Sequence, residues 1–117
     1  MKLAIIGSRE FQDRPLMIET LTDWIRENGK PTHIVSGGAQ GADRMAASIA
    51  EDLGIPVIEH LPDYKTHGGK QAPLERNKLI VADCDEMLAF PLASSRGSWH
   101  AIKFAQKQGK PVKIVES

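Results

Sequence analysis

Short apolar runs alternate with longer stretches of helical period along this chain. Lys2–Ile6 (KLAII) is almost wholly apolar, the pattern of a strand covered on both faces. From Arg14 to Asn28 the apolar residues Met17, Leu21, Trp24 and Ile25 fall on one face of a helix. Asp13 is placed to cap that helix, Pro15 sits in its first turn, and Gly29 can end it. Thr32–Ser36 predicts a second strand. Ala42, Met45, Ala46, Ile49, Ala50 and Leu53 form the stripe of a second helix, closed by Gly54. Ile55–His60 predicts a third strand. Leu61–Pro73 (LPDYKTHGGKQAP), with two prolines and two adjacent glycines, reads as a long loop of the kind that often carries function. A helix is predicted over Leu74–Ala82, a strand over Glu86–Phe90, a loop over Leu92–Ser98, a helix over Ser98–Gln108 and a last strand over Pro111–Val115.

Strands that alternate with helices predict an α/β fold: one Rossmann-like, three-layer domain over residues 1–117, with a parallel sheet of about five strands. The expected strand order is 3-2-1-4-5. Ligands of such sheets bind beyond the carboxyl ends of the strands, near the point where the order reverses. A chain of 117 residues suits one core. Fifteen basic and fifteen acidic side chains cancel, which lowers the weight of a duplex-DNA-binding reading. The single cysteine, Cys84, allows no internal disulfide, and no Cys/His pattern for a metal is present. A strand beginning at Lys2 leaves no signal peptide before it, and no apolar run approaches membrane-spanning length. A cytoplasmic setting is the expectation.

Three loops are expected to converge at the reversal: Gly7–Glu10 (GSRE), Ser36–Asp43 (SGGAQGAD) and Leu92–Ser98 (LASSRGS). Each carries glycine and a hydroxyl group, and two carry arginine. A helix amino terminus exposes unpaired N–H groups and partial positive charge, and glycine lets a phosphate approach them. Gly37, Gly38 and Gly41 would cradle phosphate before the second helix, and Gly97 and Ser98 before the last. Arg9 and Arg96 would pair with its oxygens, with Gly7, Ser8, Ser36 and Ser95 completing the loops. No GK[ST] follows the glycines, and no GxGxxG follows the first strand.

GSR after the first strand, SGGAQGAD after the second, ERN in the third helix, then ADCDEMLAF and SSRGS together resemble the SLOG superfamily, in particular its YspA/YpsA-related branch. The resemblance implies a Rossmann-like fold and a nucleotide or nucleotide-derived ligand, with some relatives enzymes and others sensors. It also implies roles for Arg76 and Asn77 of ERN. The LOG-type phosphoribohydrolases are distantly similar. Arg76 matches their ERK arginine, and Gly97 and Ser98 match their Gly-Thr pair. Their catalytic glutamate, however, falls on Ala101, and their PGG segment is not preserved in PLASSRGS. The DNA-processing protein A family, which binds single-stranded DNA, is similar in SGxAxGxD.

The expected function is therefore binding of a phosphate-bearing nucleotide or derivative, as a sensor or ligand-binding module. The alternatives are a nucleotide N-glycosidase and a single-stranded nucleic-acid-binding protein. The candidate ligand-binding residues are Gly7, Ser8, Arg9, Ser36, Gly37, Gly38, Gly41, Asp43, Arg76, Asn77, Ser95, Arg96, Gly97 and Ser98. No catalytic residue is assigned, and no metal or cofactor is required. Asp43 suits the second helix's dipole as well as a ligand contact. Tyr64 or Trp99 offers a ring for stacking, and His67 a proton-transfer group. The expected partners are a small nucleotide-type ligand and further copies of the chain; nucleic acid is a lesser candidate and a membrane is not expected.

Overall fold

A computed structural model describes residues 1–93 and 95–116. Among these residues five strands alternate with four helices: β1 (Lys2–Gly7), α1 (Arg14–Asn28), β2 (His33–Ser36), α2 (Ala42–Asp52), β3 (Val57–Glu59), α3 (Gln71–Asp83), β4 (Glu86–Phe90), α4 (Arg96–Lys107) and β5 (Val112–Ile114). The strands form one parallel sheet in the order β3-β2-β1-β4-β5. The order reverses at β1, whose two neighbours are β2 and β4.

The pleat of the central strand sorts the core into two layers. Leu3 and Ile5 of β1 face α1 and α2, packing with Met17, Leu21 and Trp24 of one helix and Ala46 and Ile49 of the other. Ala4 and Ile6 face the opposite way, against Ile80 and Val81 of α3 and Ala101, Ile102 and Ala105 of α4. A strand buried on both faces has no polar side to show, which is why KLAII lacks alternation. Cys84 is buried in the second layer. Helix α1 begins where Asp13 accepts the Leu16 amide at 3.1 Å and ends at Gly29. At the far end of α3, Asp83 takes both Lys2 Nζ (2.8 Å) and His60 Nε2 (2.9 Å), and these two hydrogen bonds hold its carboxyl below the usual carboxylate range. They tie α3 to β1 and to the end of β3.

Two helix starts differ from the sequence expectation, and both matter for the site. Helix α3 begins at Gln71, not Leu74, so Pro73 lies within its first turn. Proline is tolerated there because first-turn amides lack helical acceptors anyway. Helix α4 begins at Arg96, not Ser98, so Arg96 and Gly97 are helical rather than part of a loop. Ser94, in the expected Leu92–Ser98 loop, lies outside the described residues. Strands β2, β3 and β5 are shorter at their ends than expected. Among the described residues, no helix is long and apolar enough to cross a membrane.

Candidate functional site

A cleft of about 380 Å³ opens at the carboxyl ends of β1 and β4, within the ~300–1,000 Å³ usual for small-molecule sites. Its first wall is the turn after β1: Gly7, Ser8, Arg9 and Glu10. Ser8 holds this turn. Its amide donates to the Phe90 carbonyl (3.1 Å), its hydroxyl accepts the Glu10 amide (3.0 Å), and its carbonyl accepts from Phe11 (3.2 Å) and Ala42 (3.1 Å). The second wall is the start of α4: Ser95, Arg96, Gly97 and Ser98, with Ala101 below. Pro73, Arg76, Asn77 and Ile80 of α3 form the third, and Ala39 and Asp43 contribute from the α2 side.

The expected residues therefore divide. Gly7, Ser8, Arg9, Asp43, Arg76, Asn77, Ser95, Arg96, Gly97 and Ser98 meet at one cleft, whereas Ser36, Gly37, Gly38 and Gly41 do not line it. The protein's own groups fill the space that the missing side chains leave. The Arg76 guanidinium and the Asp43 carboxylate lie against Gly37, and Leu61 and Glu59 against Gly38. Ser36 is fully buried, and its hydroxyl has no partner among the described residues.

The glycine loop before α2 is a concave set of backbone amides, a geometry that binds anions. Its anion is built in. Asp43 Oδ2 accepts the Gly37 amide at 3.1 Å and the Ala39 amide at 3.4 Å. Burial pushes the Asp43 carboxyl up to about 6, with the Ala39 amide, Arg76 and the Gly37 amide opposing. The sign of the linkage follows. Between about pH 4 and 6 the folded form holds this proton while the unfolded carboxyl has released it. Stability therefore falls as pH rises through that window, by up to about 3 kcal/mol. Measured against Asp43→Asn in urea unfolding at pH 4 and pH 7, the wild type is expected to lose that amount relative to the variant. An equal pH response of the two proteins would contradict the assignment.

Arg76 and Asn77 join the walls. Arg76 Nη1 donates to the carbonyls of Gly37 (2.7 Å) and His60 (3.4 Å), and its Nε to Asn77 Oδ1 (3.2 Å). Burial lowers the guanidinium's pKa, Asp43 and Tyr64 counteract it, and Arg9 adds to the lowering, which places a second cation nearby. Asn77 Nδ2 donates to the Gly97 carbonyl (3.2 Å) and lies 3.3 Å from His100 Nδ1. An unbroken run of hydrogen bonds thus connects the glycine loop to the first turn of α4.

That first turn is the open end. Ser95 caps α4 without a side-chain bond to its amides; its hydroxyl instead donates to Ser98 Oγ at 2.7 Å. First-turn N–H groups have no acceptor within their own helix. Gly97 lines the cleft, and a Cβ added to it would meet nothing within 4 Å. Trp99 turns away from the cleft to pack on the second core layer, with Nε1 donating to the Leu92 carbonyl at 3.3 Å. Tyr64 is exposed. His67 lines a separate, smaller cavity. Where a LOG-type glutamate would stand, the methyl group of Ala101 forms buried floor, and the carboxylates on the cleft are Glu10 and Asp43.

The candidate residues read from the sequence leave out Ile6, Glu10, Ala39, Pro73, Ile80 and Ala101, which also line the cleft. Pro73 and Ile80 lie three before and four after Arg76, so helical spacing from the arginine would have found them.

Residues 1–67 match the profile of the YspA, cpYpsA-related SLOG family. Over 116 residues the chain is 34% identical to the Gene 61 protein of Mycobacterium phage D29, covering 95% of this chain and 93% of that protein. Two solved structures share the fold. DNA processing protein A from Streptococcus pneumoniae superposes with a TM-score of 0.75 at 21% identity, over 97% of this chain and 49% of that one. DNA processing protein A from Helicobacter pylori, whose structure concerns its single-stranded DNA binding mode, gives 0.73 at 27% identity, over 97% of this chain and 64% of that one. The chain thus spans about half of the first structure and just under two thirds of the second.

Proposed function

The chain belongs to the YspA, cpYpsA-related SLOG family, and on that premise we propose that its cleft binds a phosphate-bearing nucleotide or nucleotide derivative, with the phosphate at the first turn of α4. The observation that carries this reading is the contrast between two helix starts. The amides before α2 are taken by Asp43, while α4 presents its first turn, with Gly97 facing empty space, to a cleft that Arg9, Arg76 and Arg96 also line. Helix partial charge, glycine access and guanidinium pairing then act on one anion. Asp43 and Glu10 are the opposing charges, and they favour a ligand whose anion stays on the α4 side.

A second reading, binding of single-stranded DNA, is supported by the Helicobacter pylori neighbour. The two readings separate in equilibrium titrations with a mononucleotide and with oligonucleotides of increasing length, at 50 and 200 mM salt. The small-ligand reading expects saturable one-to-one binding of the mononucleotide and no gain with oligonucleotide length. The single-strand reading expects affinity to grow with length. If three phosphates are neutralised, it should fall roughly 20-fold between the two salt concentrations. Failure of every nucleotide and oligonucleotide to bind would reject both readings.

A further inference from the structure

Helix α3 has a cavity on each of two adjacent faces, and Arg76 stands in the wall of both. The second cavity, about 170 Å³, lies between α3 and the segment after β3. Leu61 and Leu79 line it and are 63% and 55% exposed, so apolar surface stands open there. Asp63 and Glu75 supply acceptors at the same place. Asp63 Oδ1 takes the amides of Lys65 (3.1 Å) and Thr66 (3.2 Å), and Glu75 Oε1 takes Lys78 Nζ (3.1 Å). The Thr66 hydroxyl also bonds to Asp63, while Glu75 keeps its second oxygen for another donor. Two apolar surfaces with carboxylate oxygens beside them match a flat ring with apolar faces and N–H groups on its edge.

We propose that this second cavity holds an amino-bearing nucleobase of the ligand whose phosphate lies at the first turn of α4. The inference rests on the phosphate reading above. The α3 positions that line the second cavity, Ala72, Glu75 and Leu79, are centred roughly a third of a turn from Pro73, Asn77 and Ile80 of the main cleft. Around a helix surface that is an arc of about 10 Å, passing over Arg76. It is longer than the sugar that joins a phosphate to its own base, so the ligand is dinucleotide-sized. A free dinucleotide joined by pyrophosphate and a phosphodiester step of a single strand share this chemistry.

The probes are the 5′-phosphorylated dinucleotide pdApdA, the same molecule lacking its second base, and diadenosine pyrophosphate. Each is titrated into the wild type, a Leu61→Ser/Leu79→Ser variant and Arg96→Ala. Both leucines are exposed, so the double variant is expected to fold, and a thermal melt checks this. The wild type should bind pdApdA about tenfold or more tighter than the abasic probe. The double variant should lose that preference while its affinity for the abasic probe stays unchanged. Arg96→Ala should weaken every probe. Tighter binding of the phosphodiester or of the pyrophosphate probe, lost in the double variant, supports the subsite and assigns its source. A preference that survives in the double variant, or a wild type that binds the abasic probe equally well, overturns the subsite and leaves the phosphate reading standing. An abasic probe that fails to bind the wild type overturns both.

Discussion

Gly41→Ala is expected to destabilise the protein by about 4 kcal/mol or more, a large part of the ~5–15 kcal/mol that holds an ordinary domain together. Two costs add at this position. Gly41 has φ 77° and ψ −125°, backbone that side-chain-bearing residues rarely adopt. A Cβ there would also collide with the carbonyl oxygens of Ser8 and Arg9. Those oxygens cannot retreat freely, because the Ser8 carbonyl accepts the amides of Phe11 and Ala42. The glycine thus lets the start of α2 close onto the turn after β1. Gly29→Ala is the control: φ is 86°, but no atom lies within 4 Å of the added carbon. It should cost only the backbone term, roughly 1–3 kcal/mol. Urea unfolding midpoints should therefore fall by about 2 M for Gly41→Ala, and less for Gly29→Ala. Equal losses would show that the close approach to Ser8 and Arg9 is not what fixes the glycine.

Gly97→Leu has the opposite profile. The position is helical, exposed and open, so leucine relieves the helical cost of glycine and should leave stability unchanged or raised by up to about 0.8 kcal/mol. The new side chain would stand over the first turn of α4, where the phosphate is proposed to lie. Loss of two or three charge-assisted hydrogen bonds, each worth about 1.5–3 kcal/mol, predicts at least a 100-fold loss of nucleotide affinity. A folded Gly97→Leu variant that binds nucleotide as the wild type does would remove the phosphate from this turn.

The two glycines also mark the limit of what the sequence discloses. Period and punctuation are local, so α1 could be read to its terminal residues from Asp13, Pro15 and Gly29. The strand order followed from the alternation of elements. The occupant of a glycine loop is not local information. SGGAQGAD is compatible with an outside anion or with its own aspartate, and what decides is whether Asp43 turns back onto the Gly37 and Ala39 amides. The sequence pattern puts the start of α4 two residues late because Arg96 and Gly97 read as loop residues. In the folded chain both lie in the first helical turn, which moves the open amides to the cleft. Arg76 is reached through the resemblance of ERN to the ERK motif of the LOG-type relatives. Its bonds to the Gly37 and His60 carbonyls, 39 and 16 residues away along the chain, are written in the packing alone.

In the proposed binding mode an anion enters at α4 and not at the glycine loop before α2. A titration of 15N-labelled protein with a nucleotide, followed by amide NMR shifts, tests it most directly. Saturable shifts are expected, largest at the open amides of Arg96, Gly97 and Ser98, with smaller changes at Gly37 and Ala39. Shifts largest at residues 37–43, or no saturable shift at any amide, would contradict it.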